Sequence, residues 1–284
     1  MSSFIIKLIA IISMTFDHTG DIAVGHLSIY NLIGRIAFPL FSFQLVVGYT
    51  HTKNIKKYIE RMFIFAAISQ VPYSFFNYAF EKTYFALNIF FTLSASLICM
   101  HILNSKTIKN YVKILSIAAI LVVAYFLKFD YSSWGILYTM FVYAFYPFQE
   151  KLGENRFEFA KSIEKNNKSK KNNNLNNKIT NSKDSNIKVT QSNQKNLDTA
   201  RDNSNKIKKI VIFAVGTLIF SILKWVNYFK LISFSWSFGL VFFTFLPTIF
   251  MLLFNGKKGP SAKYLFYAFY PVHLIILDLI YYFI

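Results

Sequence analysis

Asp17, His18 and Asp21 lie close together in an otherwise apolar stretch, a set of carboxylates and an imidazole able to hold or move a proton. An ionisable side chain deep in lipid costs at least about 3 kcal/mol, so each one is a functional candidate until a structural partner explains it. At about 100° per residue on a helix, His18 shares a face with Met14 and Asp21, while Asp17 points away with Ser13. Asp21 is thus placed to orient His18, and Asp17 needs a partner elsewhere. The plain alternative is a polar cap near the outer membrane interface.

Arg35 is the next such residue, in the run Gly34-Arg35-Ile36-Ala37-Phe38-Pro39. Pro39 lacks the amide that would bond the carbonyl of Arg35, so the backbone opens at the position of the charge. A carboxylate, a phosphate or a polarised carbonyl fits there, and a structural ion pair with Asp17 is the competing explanation. His273 follows Pro271 near the middle of the last apolar run, with Asp278 beyond it. A neutral imidazole at that depth exchanges a proton, whereas an imidazolium needs a counter-charge. His51, Thr52, Lys53, Tyr58 and Arg61 together predict a basic, aromatic mouth at one membrane face. Ser69-Gln70-Val71-Pro72 predicts another Pro-broken helix, and interhelical hydrogen bonding suffices to explain Gln70 and Asn88.

The elements that must position these residues are membrane helices. The chain is 54% hydrophobic and 15% charged, against about 45–50% and 25% for a soluble domain. The 33 Phe and 18 Tyr suit a bilayer core and its headgroup level. Nine runs approach the length of about 20 apolar residues that crosses the hydrocarbon: 4–24, 29–50, 58–80, 84–103, 111–128, 132–149, 209–227, 234–254 and 264–284. The predicted fold is therefore an all-α, polytopic bundle, with six helices in 1–149, a long loop over 150–208 and three helices in 209–284.

The net charge of +18 is explained by topology rather than by a nucleic-acid partner. Residues 150–209 carry 15 Lys and Arg against 7 Asp and Glu, a net +8. The rest lies mainly in short connections, and Lys53, Lys56, Lys57, Lys106, Lys109, Lys257, Lys258 and Lys263 all follow even-numbered spans. This places the N-terminus in the cytoplasm and the C-terminus outside. The Asn-, Lys- and Ser-rich loop has too little apolar surface to fold, so disorder is expected; it is either a tolerated insertion or an attraction to anionic headgroups. The single cysteine, Cys99, rules out an intrachain disulfide. The N-terminus has no basic region before its apolar stretch, so it is expected to be a helix of the mature protein rather than a signal peptide. Tyr-Ala-Phe-Tyr-Pro occurs at 143–147 and again at 267–271, an echo that coincidence or shared packing in a Tyr- and Phe-rich chain explains better than a transporter repeat does.

Taken together, KLIAIISMTFDHTG at 7–20, IGRIAFPLFSFQLVVGYTHTKN at 33–54, YIERMFIFAAISQVPY at 58–73, LNIFFTL at 87–93 and KYLFYAFYPVHLIIL at 263–277 resemble the TraX family of membrane proteins. The resemblance spans nearly the whole chain apart from the Asn/Lys-rich insertion. It implies an acyltransferase that moves an acetyl group from acetyl-CoA to an acceptor amine or hydroxyl on a peptide, a pilin-like protein or a glycan. Such chemistry needs a base and a positive group facing the oxyanion. His18, oriented by Asp17 or Asp21, is the first choice of base and His273 the second, with Arg35 facing the developing charge. CoA phosphates and adenine are expected near His51, Lys53 and Arg61. No metal site is expected, and no Ser-His-Asp or Gly-rich phosphate motif competes. A proton-coupled or solute transporter using the same Asp, His and Arg residues remains open, as does a non-catalytic assembly factor.

Overall fold

The computed structural model describes residues 1–23, 28–81, 85–146, 205, 207–226, 234–260 and 263–283. The loop expected over 150–208 falls almost wholly outside them. The elements are α1 (Ser3–Ala23), α2 (Ile29–Gly34), α3 (Ala37–His51), α4 (Ile55–Glu81), α5 (Ile89–Asn104) and α6 (Asn110–Phe126). They continue with α7 over 132–146 and α8 over 207–225, then α9 (Phe234–Phe245), α10 (Pro247–Leu252) and α11 (Lys263–Phe283). The chain is all-α; its one ladder contact among the described residues is the isolated bridge between Leu87 and Phe129.

Among the described residues, three helical stretches are long and apolar enough to cross a membrane: Ser3–Ala23, Ile29–His51 and Tyr264–Phe283. Ile89–Asn104, Asn110–Phe126 and Trp236–Leu252 are shorter apolar helices. Their outer faces carry large apolar side chains such as Ile114, Leu115, Leu265 and Tyr282 in the open, which water would penalise and lipid does not. This is a membrane protein.

Several expected boundaries move for local reasons. The run expected as one helix over 29–50 is divided by a turn at Arg35 and Ile36, where Pro39 withholds the amide that would continue the ladder. The helix expected from 84 begins at Ile89, because the Asn88 side chain accepts from the Phe90 amide at 3.0 Å and caps it. Asn88 also donates to Ala66 O (2.8 Å) and Gln70 Oε1 (2.9 Å), so both amides bind α4 to α5. Conversely, α4 runs through Pro72 and α11 through Pro271 without interruption, correcting the expectation of broken helices there. Each proline removes one backbone bond, and packing on neighbouring helices holds the remainder.

The helices meet around a core that includes Ile6, Leu40, Phe43, Leu97, Met100 and Leu274, each essentially inaccessible. One end of the bundle is closed by backbone pairing of the N-terminus with the segment before α11. Ser3 N donates to Lys257 O at 2.8 Å, and Asn255 N to Met1 O at 3.0 Å. The first residues and the 255–258 turn therefore lie at the same end, as the alternation of basic connections requires.

Candidate functional site

The site grows from the close approach of α1 and α2. Ser13, Asp17 and Asp21 recur at helical spacing on the α1 face that meets α2, and Ser13 Oγ donates to Ile33 O. Ser28 starts α2 with a capping box that fixes Asn31: Asn31 Oδ1 accepts from Ser28 N (3.0 Å) and Ser28 Oγ (2.7 Å). Its Nδ2 is thereby turned to α1, where it donates to Asp21 Oδ1 at 2.8 Å and to Asp17 Oδ1 at 3.2 Å. Gly34 faces Asp17 so closely that an added Cβ would lie 2.5 Å from Asp17 Oδ1 and closer still to its Cβ and Cγ.

Arg35, at the turn after Gly34, reaches back so that Nη2 lies 3.1 Å from Asp17 Oδ1. The pair considered on sequence grounds is thus present. It uses only part of the guanidinium, because Nε is buried without a partner. That guanidinium lies 5.5 Å from the centre of the Trp225 ring on α8, and Asp17, Tyr131, Asp21 and Asp130 all lie within its electrostatic reach.

Asp130 and Tyr131 come from the α6–α7 connection, a strained piece of backbone. Lys128, Tyr131 and Ser132 have φ of 50°, 59° and 49°, a left-handed region that side-chain-bearing residues rarely occupy. The strain is held by contacts on every side: Asp130 N donates to Leu87 O at 2.8 Å, Thr92 Oγ1 donates to Asp130 O, and Tyr131 stacks on Phe38 at 4.0 Å. Lys224 Nζ stands over Tyr131 at 5.2 Å. Burial pushes the Asp130 carboxyl up to about 6, opposed by the charges of Lys224 and Arg35.

His18 and His273 meet on the other side of α1, with ring centroids 5.2 Å apart. His18 is edge-on to Phe76 at 4.8 Å, and Phe269 stacks on His273 at 5.0 Å. His273 Nδ1 lies 2.9 Å from Phe269 O; a carbonyl only accepts, so Nδ1 carries the hydrogen and Nε2 holds the lone pair. That Nε2 is buried without a hydrogen-bond partner among the described residues, as is His18 Nδ1. Neither Asp17 nor Asp21 therefore orients His18 through Nδ1; Asp17 bonds Asn31 and Arg35, and Asp21 bonds Asn31. Arg35 lies within electrostatic reach of His18.

A cavity of about 480 Å³ approaches this centre, but Asp17, His18, Arg35 and His273 are not among the residues that line it. Lys7, His51, Thr52, Arg61 and Lys258 line its polar part, Phe41, Leu45, Phe90 and Leu93 its apolar walls, and Met14 and Tyr270 are also on its wall. Met14 and Tyr270 are one helical turn before His18 and His273 respectively, and the Tyr270 and His273 rings are 5.6 Å apart. Of the three residues expected to hold CoA, His51 and Arg61 line the cavity, whereas Lys53 is exposed and outside its lining.

A family model described as TraX protein matches residues 2–162, more than half of the chain. The chain belongs to the TraX family. The TraX match includes α1 to α7, and with them Asp17, His18, Arg35, Asp130 and Tyr131. His273 and Lys224 lie beyond the TraX match. A curated relative from Dichelobacter nodosus, described as "Probable fimbrial assembly protein FimC, serogroup H1", is 31% identical over 163 residues. That alignment covers 51% of this chain and 63% of the relative, so the TraX-family chain spans less than two thirds of the relative's length. No solved structure matches.

The structure brings Asp17 to Arg35 and His18 to His273, with Arg35 within electrostatic reach of His18, and adds Asn31, Gly34, Asp130, Tyr131 and Lys224 to the first pair. Lys224 and Asp130 are ionisable residues within or beside apolar runs, the same signal that singled out Arg35. No sequence signal marks the left-handed backbone of Tyr131. Among the described residues no three His, Cys, Asp or Glu are grouped to hold a metal ion.

Proposed function

We propose that this chain is a multi-pass membrane acyltransferase that moves an acetyl group from acetyl-CoA to an acceptor amine or hydroxyl. The observation that carries this reading is the cavity, whose lining includes the cations Lys7, Arg61 and Lys258 and also Met14 and Tyr270, one turn before His18 and His273. Lys7 and His18, both on α1, are separated by about 16 Å of helix at 1.5 Å per residue, a span suited to a pantetheine arm. CoA phosphates pair with Lys7, Arg61 and Lys258, the arm lies between Phe41, Leu45 and Phe90, and the thioester reaches the histidine pair. With the N-terminus cytoplasmic and the C-terminus outside, the cationic mouth faces the compartment that supplies acetyl-CoA.

His273 is the preferred base, since the Phe269 carbonyl fixes its tautomer and leaves Nε2 free of competing bonds. Nε2 takes the acceptor's proton as the acceptor nitrogen or oxygen attacks the thioester carbonyl. The new C–N or C–O bond forms, and Arg35, held by Asp17, faces the charge that gathers on the carbonyl oxygen. The C–S bond then breaks, and the imidazolium returns its proton to the CoA thiolate. The fimbrial-assembly description of the relative favours a pilin-like protein as acceptor over a glycan.

The test is CoA release from acetyl-CoA by the purified chain in lipid, with a peptide pool as acceptor. Acceptor-dependent release that His273→Ala abolishes supports the proposal. No release with any acceptor defeats it and makes proton flux through proteoliposomes the next measurement.

A further inference from the structure

The geometry points to Gly259 as a positioning residue for the acyl donor: it lets the turn before α11 pack on the start of α1 and so holds Lys258 where the donor's phosphates bind. The inference rests on the acyl-CoA reading of the cavity and deepens it.

Residues 254–260 form neither helix nor strand, and 256–260 are exposed. Their order therefore depends on partners elsewhere. The first amides of a helix have no partner within it, and α1 offers two of these to the turn. Ser3 N donates to Lys257 O at 2.8 Å and Phe4 N to Lys258 O at 3.1 Å. The turn thus caps α1 while α1 anchors the turn. Gly259 makes the approach possible. Its φ is 74°, a conformation glycine adopts without strain. An added Cβ would lie 2.8 Å from Phe4 Cβ and 3.0 Å from Ser2 Oγ. Phe4 Cβ is fixed to the α1 backbone, so no change of rotamer removes the overlap.

The turn brings charge to the cavity. Lys258 lines it together with Lys7 and Arg61, and no Asp or Glu is among the described residues of that lining. Lys7 Nζ stands 5.5 Å from the centre of the Phe266 ring, and Phe4 meets the same ring edge-on at 5.8 Å. The start of α1, the turn and the start of α11 therefore share one wall. Lys258 lies within electrostatic reach of Lys7, like charge against like. Packing that brings two cations together with no carboxylate beside them in the lining suits a ligand with several negative charges, such as the diphosphate of CoA. A lysine on an unanchored turn would lose backbone as well as side-chain freedom on binding phosphate; the anchored one loses only the second.

The experiment uses the full chain in lipid and two donors: acetyl-CoA, and acetyl-pantetheine, which has the same arm and thioester but no phosphate. Gly259→Ala forces the turn about 1 Å away from α1 and is expected to raise KM for acetyl-CoA about tenfold with kcat preserved. Lys258→Met is expected to do the same. The double variant is expected to be no worse than Lys258→Met alone, because the glycine acts through the lysine. Neither substitution changes KM for acetyl-pantetheine. If Gly259→Ala misfolds, Ser3→Pro takes its place: Ser3 is the first residue of α1, where proline is tolerated, and the substitution removes the amide that holds Lys257 O. Ser3→Ala controls for the lost hydroxyl. No effect on acetyl-CoA, equal effects on both donors, a fall in kcat, or losses that add in the double variant overturn the inference and leave the acyltransferase reading standing. A wild type that turns over neither donor defeats that reading and this inference with it.

Discussion

Gly34→Ala tests whether the α1–α2 contact builds the charged centre. The added methyl would lie 2.5 Å from Asp17 Oδ1 and closer to Asp17 Cβ and Cγ, where ordinary carbon contacts are about 3.5–4.0 Å. Rotating the Asp17 side chain does not relieve the overlap, because its Cβ is fixed to the α1 backbone. The helices must part by about 1 Å, and the 3.1 Å pair of Asp17 and Arg35 opens with them. Overpacking of this kind costs about 1–3 kcal/mol. The opened pair adds less than the 3–5 kcal/mol roughly typical of a fully buried one, since Arg35 and Asp17 are 24% and 18% exposed. A total of about 2–4 kcal/mol is expected as a lower melting temperature in detergent. Displacing Arg35 by that amount is expected to reduce CoA release about a hundredfold. A Gly34→Ala protein with wild-type melting and wild-type turnover would refute this account of the centre.

His273→Ala is expected to lower kcat by about 10²- to 10⁴-fold, with near-normal melting, in the CoA-release assay. Gly48→Leu is expected to raise KM for acetyl-CoA more than about tenfold while kcat is retained, because a side chain there meets the Tyr58 hydroxyl, 2.6 Å from its ideal Cβ, and fills the cavity. Asp130→Asn is expected to change the pH dependence of stability. The folded-state carboxyl is raised to about 6, so the folded protein binds more protons than the unfolded chain between roughly pH 4 and 6. The wild type should therefore lose stability as pH rises through that window, with the full contribution present only below it, and melting curves of Asp130→Asn should lack that slope.

The main lines of the fold were legible because lipid leaves few options: long apolar runs must become helices, and ionisable residues inside them must find partners. Asp17, His18, Arg35 and His273 stood out on that ground. The open backbone at Arg35 is legible too, since a proline four residues later removes a specific backbone bond, but the turn that divides the 29–50 run is not. Pro72 and Pro271 carried the same local signal without breaking their helices, because tertiary packing decides whether a helix kinks or stops. Arg35 is a legible partner for Asp17, but the second partner, Asn31, depends on a cap that orients an amide across two helices. Tyr131 was out of reach, because its placement depends on a left-handed backbone held by Thr92, Leu87 and Phe38 from distant parts of the chain. Lys258 carries only a topological meaning in the sequence and Lys7 none, and their meeting at one cavity depends on the pairing of the N-terminus with the 255–258 turn.

The central claim is that the cavity holds acetyl-CoA with its thioester at the histidine pair. An experimental structure of the full chain in lipid nanodiscs with acetyl-CoA tests it most directly. The account predicts phosphates against Lys7, Arg61 and Lys258 and the thioester sulfur beside His273 Nε2. A cavity filled by lipid while acetyl-CoA stays unbound, or CoA bound away from His18 and His273, would contradict it.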